Sequence, residues 1–343
     1  MDEKLLAERF KRFAEHECKG SSPLYEFLSQ QISEDGDLLA LSSFCSSGQP
    51  VPNLFLGSVH YLLLLGVKHE LGEYYASLAK NPRSPEGSFL PFKDFCLQHG
   101  SEIIKILQSR RVQTNEVRRC TYLYPSFCSI YEKVKRPLAL VELGTSAGLQ
   151  LLWDKYNYSY GTEETYGDMD SSVHLSAKLR NGTLPRLPKT SPPVVSRIGI
   201  DLHVVDLSKE DEYIWLKALI WPEHADRMEC FENAADCFQS QSAELIEGDA
   251  ISLLPRVAGQ SPDESVLCIF HTHVANQFSE AQKAKLLDTV RHIGGKQDVL
   301  HLYNNITDVG RLHLDSFIDG NESHEIVGDT DGHGRWFDWS FSS

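Results

Sequence analysis

The chain has 343 residues, 41% of them hydrophobic, and a formal net charge of −15. That content excludes wholesale disorder and leaves room for one large or two ordinary domains. An acidic surface repels phosphate backbones, so nucleic acid is excluded as a default partner and a small or cationic ligand is expected.

The eight cysteines include no Cys-x-x-Cys, which argues against a zinc ribbon or a redox pair and for small buried hydrophobes in a reducing compartment. The first eight residues are charged and amphipathic, without a signal-peptide core. The most apolar run, Leu54 to Val67, is 14 residues long and too short for a bilayer. A soluble, cytoplasmic protein with no membrane partner is expected; composition leaves its oligomeric state open.

Residues 1–136 read as helical throughout. Leu5, Leu6, Phe10 and Phe13 recur at helical spacing, as do Leu24, Phe27, Leu28 and Ile32 after Ser22-Pro23. Further helices are expected at 36–45, 53–66, 70–79, 92–109 and 115–134. The texture changes at Pro137. Seven strands are expected from there, at 138–143, 196–203, 243–247, 265–270, 298–303, 324–328 and 335–339. Helices are expected at 208–219, 223–238, 279–293 (with a Ser279/Gln282 capping box) and 306–318, and a short hairpin loop at 331–334. Residues 157–193, rich in Gly, Pro, Tyr and Ser, form an insertion too long for an ordinary connection. The fold class is therefore α/β: a seven-stranded, methyltransferase-like Rossmann sheet (137–343) preceded by an all-helical lid or substrate domain (1–136).

The stretch Glu142-Leu143-Gly144-Thr145-Ser146-Ala147-Gly148 reads as a strand ending in a carboxylate, a tight glycine turn and then a helix start, and it carries the chemistry. Gly144-x-Ser146-x-Gly148 matches a hydrolase nucleophile elbow, yet no strand or oxyanion loop precedes it. The dinucleotide pattern fails, because it needs glycines at offsets 0, 2 and 5. An acid-x-Gly-x-x-x-Gly turn after the first strand instead fits the cradle of S-adenosylmethionine. On that reading Glu142 lies near the methionine portion, with Gly144, Ser146 and Gly148 forming the turn. Asp201 accepts the ribose hydroxyls, with Asp206 as a competing acid, and Asp249 accepts the adenine amine. His271 and His273, on one strand face, line the reaction side as candidate general bases, with Asn276 beside them. Arg118 or Arg119 would bind an acidic group of a small-molecule substrate. No third ligand accompanies the two histidines, so no metal is expected. Each residue also has a bland role: Glu142 as a helix cap, Asp201 and Asp249 as turn residues, the histidines as core groups, the arginines as a solvated face.

Glu142-Leu143-Gly144-Thr145-Ser146-Ala147-Gly148-Leu149-Gln150-Leu151-Leu152-Trp153-Asp154-Lys155-Tyr156 resembles the fingerprint of a bacterial family of unknown function. So do Arg197-x-Gly199-x-Asp201, Trp215-Leu216-x-Ala218-x-x-Trp221-Pro222-Glu223 with Arg227, Gly334-Arg335-Trp336-x-Asp338-Trp339, and Asn115 with Arg118-Arg119. The resemblance spans most of the chain and implies a methyltransferase-like Rossmann fold. It implies no reaction. Three functions stand as expectations: an S-adenosylmethionine-dependent methyltransferase, a non-catalytic relative binding a nucleoside-type ligand or a protein, and a Ser146 hydrolase.

Overall fold

The computed structural model describes residues 2–341. The chain forms two compact units: the residues up to Thr114 together with Ser208–Glu229, and Asn115–Leu207 with the chain from Cys230 onward.

The first unit is helical: α1 Glu3–Phe13, α2 Pro23–Ile32, α3 Gly36–Ser42, α4 Val51–Leu64, α5 Phe89–Gln98 and α6 Gly100–Ser109, with 3-10 turns at Glu70–Tyr74 and Pro85–Gly87. Its core is aromatic. Phe55 meets Phe10 edge-on at 6.2 Å and Phe92 at 5.9 Å. The expected boundary at 136 differs from this division at both ends. Residues 115–136 fall in the second unit, and 208–229, expected in the sheet domain, fall in the first. The reason is side-chain capture. Trp221 packs on Phe13 (5.6 Å) and Tyr25 (6.0 Å), and Trp215 Nε1 donates to the Arg111 carbonyl at 2.9 Å. Glu223 accepts from Ser22 Oγ (2.7 Å) and Leu24 N (2.9 Å), tying down the start of α2.

The second unit holds α7 Cys120–Val134 and a seven-stranded sheet: β1 Leu138–Leu143, β2 Val194–Asp201, β3 Glu244–Glu247, β4 Val266–His271, β5 Val299–Asn304, β6 Arg311–Ile318 and β7 Asn321–Asp329. The order across the sheet is β3-β2-β1-β4-β5-β6-β7. The first five are parallel, while β6 is antiparallel to both β5 and β7. The strand order reverses direction between β1 and β4, as in a Rossmann-like sheet. All six residues of β1 are buried, as expected of a central parallel strand covered on both faces. On one face α10 Ala250–Ala258 and α11 Glu280–Gly294 pack Leu254, Leu286 and Val290 against Val141, Ile200 and Ile269. On the other, Phe127 of α7 stacks on Trp153 at 4.6 Å and meets Phe270 edge-on at 5.3 Å. Two further helices, α8 Glu210–Ala218 and α9 Ala225–Gln239, lie between β2 and β3 in sequence.

Three sequence expectations are corrected. Residues 311–318 are strand β6, not helix. Arg-Leu-His-Leu-Asp-Ser-Phe-Ile alternates with period two, and Asp319-Gly320, both at positive φ (52° and 75°), makes the two-residue hairpin turn into β7. The expected last strand is Trp336–Asp338, and it lies outside the main sheet, paired with Lys178–Asn181 of the insertion. The helix expected after β1 is a 3-10 segment, Leu149–Lys155. The Ser279/Gln282 capping box is present. Among the described residues no helix is long and apolar enough to cross a membrane.

Candidate functional site

The C-terminal ends of β1, β2, β4 and β5 assemble a polar edge. β1 delivers Glu142, which is buried, and Thr145 Oγ1 donates to its Oε2 at 2.6 Å. Burial pushes the Glu142 carboxyl up to about 8; the nearby Asp201 adds to the rise, while the Thr145 bond and the Arg119 charge oppose it. Among the described residues no donor reaches Glu142 Oε1.

The turn that follows needs its glycines. Gly144 (φ 72°) and Gly148 (φ 77°) are left-handed, and a Cβ on Gly144 would lie 2.4 Å from Val274 Cγ2. Ser146 is left-handed too (φ 51°), although it carries a Cβ. Its amide donates to Asp201 Oδ2 at 2.8 Å. Asn115 holds the same turn: its Nδ2 donates to Ser146 Oγ (2.9 Å) and its Oδ1 accepts from Ala147 N (3.2 Å). The Ser146 hydroxyl thus faces an amide donor, which cannot take a proton, so this contact supplies no base for a nucleophile.

Asp201 ends β2, and its other oxygen accepts from His203 N at 2.9 Å. Asp249 is the N-cap of α10, where its Oδ2 accepts from Ser252 N (3.2 Å) and from the Ser252 hydroxyl. Both acids stand just at or after strand ends, as the sequence predicts; Asp201 already serves the β1 turn and its own loop, and Asp249 the start of α10. The fourth acid, Asp206, lies in the loop after β2.

The two histidines expected on the reaction side separate. His271, the last residue of β4, is fully buried, with its ring 5.3 Å from that of His301 and 5.8 Å from that of Tyr303. It belongs to the sheet interior, and burial pushes it down to about 3. His273 turns left-handed (φ 66°) at the edge; its amide donates to Asn304 Oδ1 at 2.7 Å, and its Nδ1 lies 3.1 Å from Asn305 Nδ2. Burial, then the positive charges of Arg119 and His333, push His273 down to about 3, with Asp331 opposing. Asn276 is exposed in the 3-10 turn Val274–Gln277. Arg119 is buried, donating from Nε to the Gly332 carbonyl at 2.9 Å and from Nη1 to Thr272 Oγ1 at 3.5 Å; Arg118 sits in the same turn, Val117–Arg119. Thr272 in turn donates to Gln150 Oε1 at 2.9 Å.

The structure therefore adds Asn304, Asn305 and Thr272 to the edge, and gives Asn115 a role in the turn. The only sequence signal of Asn304, Asn305 and Thr272 is position: polar residues at the ends of buried strands, where ligands bind in open α/β sheets. No group of three or more His, Cys, Asp or Glu among the described residues is placed to hold a metal ion. No curated protein and no solved structure matches the chain. Residues 7–339 match the family described as "Uncharacterized protein conserved in bacteria (DUF2332)", and the chain belongs to that family.

Proposed function

We propose that this chain is a methyltransferase-like protein that binds S-adenosylmethionine at the C-terminal ends of β1, β2 and β4 and methylates a small molecule. The observation that carries the reading is the left-handed Gly144–Gly148 turn, at the end of the central strand and beside the reversal in strand order. The residues present fit the group in three ways. Glu142 offers a buried carboxyl oxygen, Oε1, to an amino group. Asp201 keeps acceptor capacity beyond its two backbone bonds. Asp249 commits only Oδ2 to Ser252.

The cofactor supplies a methyl group on a sulfonium, and the transfer needs alignment of donor and acceptor more than strong acid–base catalysis. His273 is the residue at this edge that can accept a proton from a hydroxyl or amine acceptor. His271, inside the sheet, supports the edge from behind.

Two observations favour a second reading. With His273 held near 3, it is a weak base, and Asn115 and Asp201 occupy turn amides a ligand would use. A non-catalytic binder of a nucleoside-type ligand fits that arrangement. Calorimetry with S-adenosylmethionine and S-adenosylhomocysteine tests the binding both readings share. A methyl-transfer assay across a metabolite panel then separates them.

A further inference from the structure

A cavity opens near the β6–β7 end of the sheet, away from the β1 turn and in the same unit. It has a volume of about 390 Å³ and runs between α11 and the β6–β7 hairpin. Leu287, Val290, Phe317 and Ile326 give it apolar walls, and Tyr303 and His313 stack their rings at 5.4 Å, only 12° from parallel. One residue does not belong with such walls. Asp315 is 6% exposed and sits on the sheet face that also carries Val299, Ile269 and, directly opposite it, the buried His301. A buried carboxylate is costly unless paired. Its Oδ1 is paired: His324 Nδ1 lies 2.9 Å away and the Tyr303 hydroxyl 3.5 Å away. Its Oδ2 has no donor among the described residues, although Asp315 lines the cavity.

The charged groups at the rim are committed elsewhere. Arg291 reaches Glu322 (3.2 Å) and Asp288 (3.5 Å), and Glu325 takes Lys133 at 2.8 Å. Asp308 faces His313 at 3.5 Å. What remains is a ring-lined groove with apolar walls, into which Asp315 presents one carboxylate oxygen that no donor among the described residues fills.

We propose that this groove binds a small organic cation, a primary ammonium carrying an apolar group, with Asp315 Oδ2 as its counter-charge and the Tyr303 and His313 rings along its flank. Carboxylate pairing sets the orientation and apolar burial supplies the affinity. The groove is separate from the β1 turn, so its test stands or falls independently of cofactor binding.

The test is calorimetry of the full chain with 2-phenylethylammonium, with 3-phenylpropionate and 2-phenylethanol as anionic and neutral counterparts. Saturable binding of the ammonium is expected, at least about tenfold tighter than either counterpart, and reduced about tenfold or more by Asp315→Asn. Ile326→Trp, which fills the groove from its exposed wall while leaving Asp315 intact, is expected to abolish binding, and it decides the matter should the Asp315 variant not fold. No saturable heat from the ammonium, equal binding of the alcohol or carboxylate, or full retention by either folded variant would overturn the proposal.

Discussion

The backbone amide of Ser146 donates to Asp201 Oδ2 at 2.8 Å, so the acid that ends β2 holds the turn that follows β1. The same carboxylate accepts from His203 N at 2.9 Å. Two bonds to a charged acceptor in a half-buried place are worth more than neutral ones. Asp201→Ala is therefore expected to lower unfolding free energy by about 2 kcal/mol and to weaken any ligand at the β1 turn. Urea denaturation checks the first effect; a change below about 0.5 kcal/mol would mean the turn does not depend on Asp201.

Glu142 gives the fold a pH dependence. Burial raises its folded-state value from 4.5 to about 8. Between those limits the folded protein holds a proton that the unfolded chain has released. The stability tied to that proton is fully present below about pH 4.5 and is lost as pH rises through about 8, a swing on the order of 5 kcal/mol. Glu142→Gln keeps the acceptor for Thr145 and removes the ionisation. It is expected to match the wild type near pH 5 and to exceed it by about 2 kcal/mol or more near pH 9. Denaturation midpoints at the two pH values decide this; a variant less stable than wild type at both would contradict the burial account.

Gly199 faces Thr145 across the β1–β2 pair. A Cβ there would lie 2.5 Å from Thr145 Oγ1 and 2.8 Å from Leu245 Cδ2. Gly199→Ala must displace the hydroxyl that donates to Glu142, at a cost of about 2 kcal/mol or more. Thermal melting monitored by circular dichroism measures the loss, and an unchanged midpoint would show that Thr145 yields freely.

The Ser146 hydroxyl is a turn group on this account. A fluorophosphonate probe is expected to leave the folded protein unlabelled. Ser146→Ala is expected to cost about 1 kcal/mol, by leaving the Asn115 amide without its 2.9 Å acceptor. Stoichiometric labelling that disappears in Ser146→Ala would restore the hydrolase reading.

The parts legible in the sequence were those with local causes. The apolar run 138–143 and its glycine turn gave the central strand, and Ser279 with Gln282 gave the start of α11. Asp319-Gly320 between alternating segments is the sequence signal of the β6–β7 hairpin, but the apolar residues from 306 to 318 also suit a helical period, which competes with the period of two. Other features have distant causes. Trp215, Trp221 and Glu223 look like ordinary core and surface residues until the helices they serve are placed, which moves 208–229 into the helical unit. Asn115 carried a motif but no role, because its partners Ser146 and Ala147 are about thirty residues away. His271 and His273 share a strand-face parity, yet the left-handed φ of His273 turns it away from the sheet.

On the function proposed above, the β1 turn holds S-adenosylmethionine. Isothermal titration of the full chain with S-adenosylhomocysteine near pH 8 tests it most directly. One site is expected, with a dissociation constant on the order of 10 µM, weakened in Glu142→Gln. Absence of any saturable heat at about 1 mM ligand, from protein that is folded by circular dichroism, would contradict it.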